Sequence, residues 1–227
     1  RDSVASRGLG DVYKRQLETR ISSYELAARM QTSAQEALDI SQETAETHRL
    51  YGLDDPATKE YGTRCLIARR LVERGVRFIQ LFLNGQPWDN HLNIKSALPA
   101  ACKRTDKPAA GLVTDLKRRG LLDTTIVHWG GEIGRLPVTQ GKAANSGRDH
   151  NGQGFSTWLA GGGFKHGQVI GSSDKAGGHP HDRPVTPGDL AATIYHHFGV
   201  PLDATYDDHR GRPRYIVEDG KPIHELI

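Results

Sequence analysis

Cysteine is almost missing from this sequence: its 227 residues include only Cys65 and Cys102. Both fall in helix-forming stretches with no partner at zinc-ligand spacing. This argues against a disulfide framework and reads as two free, buried thiols. Long apolar runs are missing too. No stretch approaches the ~20 residues that span a bilayer, and no charged-then-apolar leader is visible, so no membrane span is expected. Nor is there an excess of one charge, since 30 Lys and Arg face 27 Asp and Glu for a formal net charge of +3. The basic residues are scattered, which argues against a nucleic-acid footprint. Internal repeats and low-complexity tracts are absent as well. What is present is a chain 36% hydrophobic and 25% charged, the balance of an ordinary globular protein and not of a disordered one.

The opening stretch "RDSVASRGLGDVYKRQ" shows neither helical nor strand periodicity. It resembles a translated sequencing-adaptor scar, so residues 1–16 are set aside as a non-native leader. On that reading the natural protein continues upstream, where an export signal could lie.

From residue 17 to 50, good helix formers without Pro or Gly predict one or two surface helices. "YGLDD" predicts a turn. "PATKEYGTRCLIARRLVERG" predicts a helix with Pro56 near its first turn and Gly75 just past its end. The run Val76–Leu83 is too apolar for an edge strand and predicts a strand buried on both faces, as in a parallel sheet. A helix interrupted near Pro99 and Pro108 and stopped at Gly120 comes next, then a second buried strand in "LLDTTIVHW". Helix, strand, helix, strand in this order predicts right-handed βαβ units and a doubly wound, mostly parallel α/β sheet flanked by helices.

Residues 130–155 form a long, polar, Gly-rich loop of the kind that is usually functional or mobile. "FSTWLAGGG" predicts a short strand and "GQVIG" an edge strand or turn. "TPGDLAATIYHHFGV" predicts a helix capped by Thr186, with Pro187 at its first position and Asp189 three residues after the cap. The tail from Pro201 predicts irregular structure with one short strand, "RYIV".

Ligands of doubly wound sheets gather at the carboxyl ends of the strands. Two motifs, "QPWDNH" and "HWGGEIGR", are expected there. With the loop that follows they give three groups: Asp89 with His91, Glu132 with Arg135, and Asp149 with His150. Carboxylate oxygens and neutral imidazoles suit zinc or another divalent transition ion, bound at ~2.0–2.2 Å. Each group has a plainer explanation. Asp89 and Asn90 favour turns, Asp149 could pair with Arg148, and Glu132 could cap a backbone. His128 reads as a wall residue of its strand, and the remaining histidines as structural or solvated.

The joint order of "YELAARMQTSAQEALDIS", "ARRLVERGVRFIQL", "WDNH", "HWGGEIGRLP", "GRDHN", "WLAGGGFKHGQVIGSSD" and "DRPVTPGDLAATIYHHFGV" resembles the carboxyl half of the alkaline phosphatase superfamily. More closely, it resembles the family known as domain of unknown function 1501, often described as sulfatase-like. The resemblance implies that residues 17–227 are the carboxyl-terminal portion of one alkaline-phosphatase-like α/β domain. It implies that Asp89, His91 and His150 hold one metal and that Glu132 helps to hold a second, with Asp149 counted among the candidate ligands. The sequence departs from the phosphatase pattern in having "GGE" where an Asp-His pair is usual. The superfamily's nucleophile would lie upstream, and Ser156 and Thr157 are not equivalents.

The implied chemistry is metal-dependent hydrolysis of a phosphate or sulfate ester, small or glycan, with a phosphomutase as a close variant. Zinc is the expected ion, with calcium or manganese as alternatives. Arg135 and Arg148 suit bidentate contact with the anionic group. Family resemblance implies export. The alternative is a non-catalytic secreted or surface protein that keeps the scaffold and binds a glycan or partner. A third reading, an interaction domain without metal, expects Asp89, His91 and His150 to lie far apart.

Overall fold

The computed structural model describes residues 14, 16–25 and 35–227. Within the 17–50 region, residues 16–25 and 35–38 are helical, followed by a short helix α1 (Ala45–Leu50). The remainder of that predicted region, 26–34, lies outside the described residues. Thr44 caps α1, its hydroxyl accepting from the Thr47 amide at 3.1 Å, so a donor that the first turn leaves orphaned is satisfied.

Helix α2 (Lys59–Glu73) buries Tyr61, Gly62, Cys65, Leu66, Ala68 and Arg69, residues three and four apart that form one stripe. Gly62 has to be glycine, because a Cβ there would sit 2.1 Å from the Tyr51 carbonyl oxygen. Helix α3 (Ile94–Arg118) presents Ala101, Thr105, Pro108, Gly111, Asp115 and Leu116 as its buried face. The helix runs through both Pro99 and Pro108, so the interruption expected there does not occur. Each proline removes one backbone donor, but burial of the stripe against α2 offsets the two lost bonds. The helix closes at Gly120, in the left-handed region at φ 70°, where the Leu121 amide donates to the Leu116 carbonyl at 2.9 Å.

Tyr51, Tyr61, Cys65 and Leu66 form the core, with Ile40, Leu50, Leu53, Leu81, Leu83 and Leu112 packed against it. Both cysteines are free, Cys65 buried and Cys102 half-buried. Arg69, only 2% exposed, lies among carboxylates. Its Nη1 donates to Glu73 at 2.6 Å, Nη2 stands 2.7 Å from Glu43 and Nε 3.0 Å from Asp115. The last two are charge contacts without aligned hydrogen bonds. Burial opposes the charge on Arg69, but the contacts with Glu43 and Glu73 outweigh it and raise the group further above its ordinary range. Tyr51 completes the cluster, donating its hydroxyl to Asp115 at 2.9 Å.

The strands overturn the predicted fold class. Among the described residues the sheets are four antiparallel pairs: β1 (Ile126–Gly130) with β4 (Thr157–Gly161), β2 (Gly134–Arg135) with β3 (His150–Asn151), β5 (Ser172–Ser173) with β6 (Pro180–Asp182), and β7 (Thr205–Asp207) with β8 (Pro213–Tyr215). Among the described residues no doubly wound parallel sheet is formed, so the architecture is not the alkaline-phosphatase-like α/β fold. Val76–Leu83 is not a strand at all. Its Leu81 and Leu83 pack on the core, while Phe78 is 82% and Phe82 64% exposed. An apolar run requires cover for its side chains but does not choose which backbone pairs with it. Here the cover is one-sided. β1 instead pairs with β4, where Trp129 stands opposite Trp158 and their rings stack at 6.2 Å. "GQVIG" is likewise irregular, whereas "RYIV" contributes to β8.

The final helix, α4 (Pro187–His197), has the expected capping box between Thr186 and Asp189, with Pro187 in its first turn. The carboxyl-terminal segment is strapped to it. Lys221 donates its amide to Asp189 at 2.7 Å, and Ile223 donates its amide to the Thr193 hydroxyl at 2.8 Å. No helix among the described residues is long and apolar enough to cross a membrane.

Candidate metal centre

One ring contact and two backbone devices bring separate parts of the sequence to one place. The first anchors the "QPWDNHLN" segment: Trp88 meets Trp129 of β1 edge to face, with ring centroids 5.8 Å apart. The second joins that segment to the 140–148 loop. Leu92 bridges Ser146, the Arg148 amide donates to the Asn90 carbonyl at 2.9 Å, and the Ile94 amide to the Ser146 carbonyl at 3.1 Å. Gly147 makes this approach possible, since a Cβ there would fall 2.1 Å from the His91 carbonyl. The third is the β2–β3 pair, in which Arg135 stands directly opposite His150.

The result is convergence on one oxygen. Asp89 Oδ1 lies 3.0 Å from His91 Nε2, 3.0 Å from His150 Nε2 and 2.6 Å from Arg135 Nη2, which donates to it. The two imidazoles tilt against each other with centroids 4.8 Å apart. Arg135 foremost, then His150, holds the Asp89 carboxyl down to about 2, so the carboxylate stays anionic at any ordinary pH. One ligand atom from each of Asp89, His91 and His150 lies within 4.8 Å of the others. One carboxylate and two imidazoles are a donor set that zinc and similar divalent ions take. Asp89, His91 and Arg135 are partly buried and His150 is exposed, which leaves the site open to a ligand.

The other predicted residues are placed differently. Asp149 stands on the far side of His91, its Oδ1 3.5 Å from Nδ1, and accepts from the His150 amide at 2.7 Å. It braces the cluster without joining it. Glu132 is exposed in the turn between β1 and β2 and is not among the converging groups. Arg148 is also exposed and takes part through its backbone, whose carbonyl accepts from Arg135 Nη1 at 3.4 Å. His128 lies in β1, outside the cluster, and burial shifts its imidazole below the usual range.

Sequence reasoning missed two residues. One is Gln140, whose Oε1 lies 2.9 Å from His91 Nδ1. The other is Gly147. Nothing in "VTQGKAANSGRDHN" distinguishes them, because their roles depend on a contact across 49 residues in one case and a backbone crossing in the other. The expectation that Asp89, His91 and His150 lie far apart, tied to the metal-free reading, is overturned by the same geometry.

No curated protein and no solved structure matches this chain. The family described as "Protein of unknown function (DUF1501)" matches residues 4–227. With the match spanning nearly the whole sequence, the chain belongs to that family.

Proposed function

We propose that this chain carries the metal centre of a metal-dependent hydrolase of phosphate or sulfate esters. One observation carries the reading: the ligand atoms of Asp89, His91 and His150 meet within 4.8 Å, although they come from segments some sixty residues apart. A bound divalent ion would polarise an ester oxygen and stabilise a leaving group. The chain's own residues supply the rest. Asp89 and the two histidines hold the ion's position. Arg135 holds the Asp89 carboxylate in place through a 2.6 Å hydrogen bond, and its planar guanidinium is shaped to take two oxygens of a tetrahedral anion. Arg135 also lines a cleft of about 450 Å³ with Asn151, Phe155, Ser172 and His179 among its walls, where the remainder of an ester could lie.

The test is elemental mass spectrometry of the purified chain and of His91→Ala and His150→Ala, together with hydrolysis of p-nitrophenyl phosphate and p-nitrophenyl sulfate. About one divalent ion per chain, lost in both variants, is the expected result, and any ester turnover by the chain should be lost with it. A chain that binds no ion, or turnover indifferent to chelation, sinks the reading. Glu132, the acid that would help to hold a second ion, stands outside the cluster, and this favours one alternative. That alternative is a non-catalytic secreted or surface binding protein with a single structural metal, for which chelation would lower the melting temperature in a chain that turns over neither ester.

A further inference from the structure

The two ring nitrogens of His91 face different partners. Nε2 points into the cluster, 3.0 Å from Asp89 Oδ1, and Nδ1 points out of it, 2.9 Å from the side-chain carbonyl of Gln140. A carbonyl oxygen can only accept, so Nδ1 is the donor in that pair. The acceptor is held from behind: the Gln140 amide donates to the Gly147 carbonyl at 2.8 Å, and the Gly147 amide returns a bond at 2.9 Å. Gly147 in turn lies against the His91 backbone. Gln140 and His91 are therefore fixed to each other through both main chain and side chain. Asp149, at 3.5 Å from Nδ1, adds negative charge on the same side. Among the described residues His150 has no hydrogen bond at its Nδ1.

We propose that Gln140 is a positioning residue for the metal centre, accepting a hydrogen bond from Nδ1–H of His91 and so presenting Nε2 as the bare, metal-facing nitrogen. The assignment rests on the metal reading of the site. A histidine ligand needs a lone pair toward the ion, and an acceptor on the opposite nitrogen fixes the tautomer, the ring angle and the basicity of the ligand. Loss of such a partner typically weakens metal binding ~10–100-fold.

The experiment compares the full chain with Gln140→Met, which keeps length and loses the carbonyl, and Gln140→Glu, which keeps an acceptor. Zinc affinity is read by competition with a chromophoric chelator, and the His91 tautomer by long-range ¹⁵N NMR with and without zinc. Zinc should bind Gln140→Met about 10–100-fold more weakly, and Gln140→Glu should recover most of the loss. Nδ1 should carry the proton in the wild type and in Gln140→Glu. In metal-free Gln140→Met the proton should move to Nε2, facing Asp89. Equal zinc affinity in all three proteins, with Nδ1 protonated throughout, overturns the proposal. If the wild type takes up no zinc, the metal reading fails on its own account. The position of the His91 proton in wild type and in Gln140→Met then still decides whether Gln140 orients the ring.

Discussion

Arg69 and Arg135 each hold aspartate in a guanidinium contact, and the difference between them separates the two regions of this molecule. Arg69 lies between α2 and α3, 2% exposed, with Glu43, Glu73 and Asp115 around it. An arginine so enclosed has nowhere to go, and its charge is bound into the helical core. Arg135 shares one oxygen of Asp89 with two histidines at the edge of an open cleft. An incoming ion or anion can compete for every partner it has. The helical region is thus held by burial. The site region is held by backbone bridges and short antiparallel pairs, with its charges left reachable.

The largest effect expected from breaking this contrast is at Arg69. Arg69→Met takes one guanidinium from three carboxylates, of which Glu43 keeps Arg70 and Asp115 keeps Arg119, and should cost about 3 kcal/mol, the lower end for breaking a buried pair. Urea denaturation measures it, and a loss under about 1 kcal/mol would place the cluster with ordinary surface pairs. Next comes Gly147→Ala, whose added methyl must push the 140–148 loop away from the His91 carbonyl. Overpacking of this kind costs about 1–3 kcal/mol, and zinc uptake should vanish while far-UV helicity is kept. Unchanged zinc affinity would show that the close approach is dispensable.

Thr186→Ala removes one half of a capping box and should cost about 1 kcal/mol, with Thr186→Ser recovering it and zinc binding untouched throughout. A change in zinc affinity there would mean that α4 and the site are coupled. The smallest effect concerns pH. Asp89 is held below its ordinary 3.8, at about 2, by Arg135 first and then His150. Its contribution to folding is therefore complete above the ordinary value and disappears as pH falls through about 2. In Arg135→Gln the carboxyl should titrate closer to 3.8 by ¹³C NMR, moving that loss to higher pH. A titration left in place would remove Arg135 as the main cause.

The sequence made some of this legible and withheld the rest for physical reasons. Helices α2 and α4 could be read because their signals are local: Gly75 just past the end of one, and a cap formed by Thr186 and Asp189 at the start of the other. The candidate pair Asp89 and His91 was legible from the abrupt end of an apolar run, whereas His150 was singled out by the order of motifs that carries the family resemblance. The prolines misled because a break in local bonding at Pro99 and Pro108 is outweighed by burial of the whole α3 stripe. Val76–Leu83 misled because its alternating apolar side chains carry no statement about hydrogen-bond partners.

Taken by itself, the sequence determined the stops of α2 and α3 at Gly75 and Gly120 and the capped start of α4, and it set out which carboxylates and imidazoles were candidates to meet. These follow from periodicity, capping and side-chain type within a few residues of each position. Tertiary structure alone decided that β1 pairs with β4 and not with Val76–Leu83, that Asp89, His91 and His150 meet while Glu132 stays apart, and that Gln140 faces His91 Nδ1. Each of those depends on how distant segments come together, through backbone bridges and side-chain contacts whose partners no local pattern specifies.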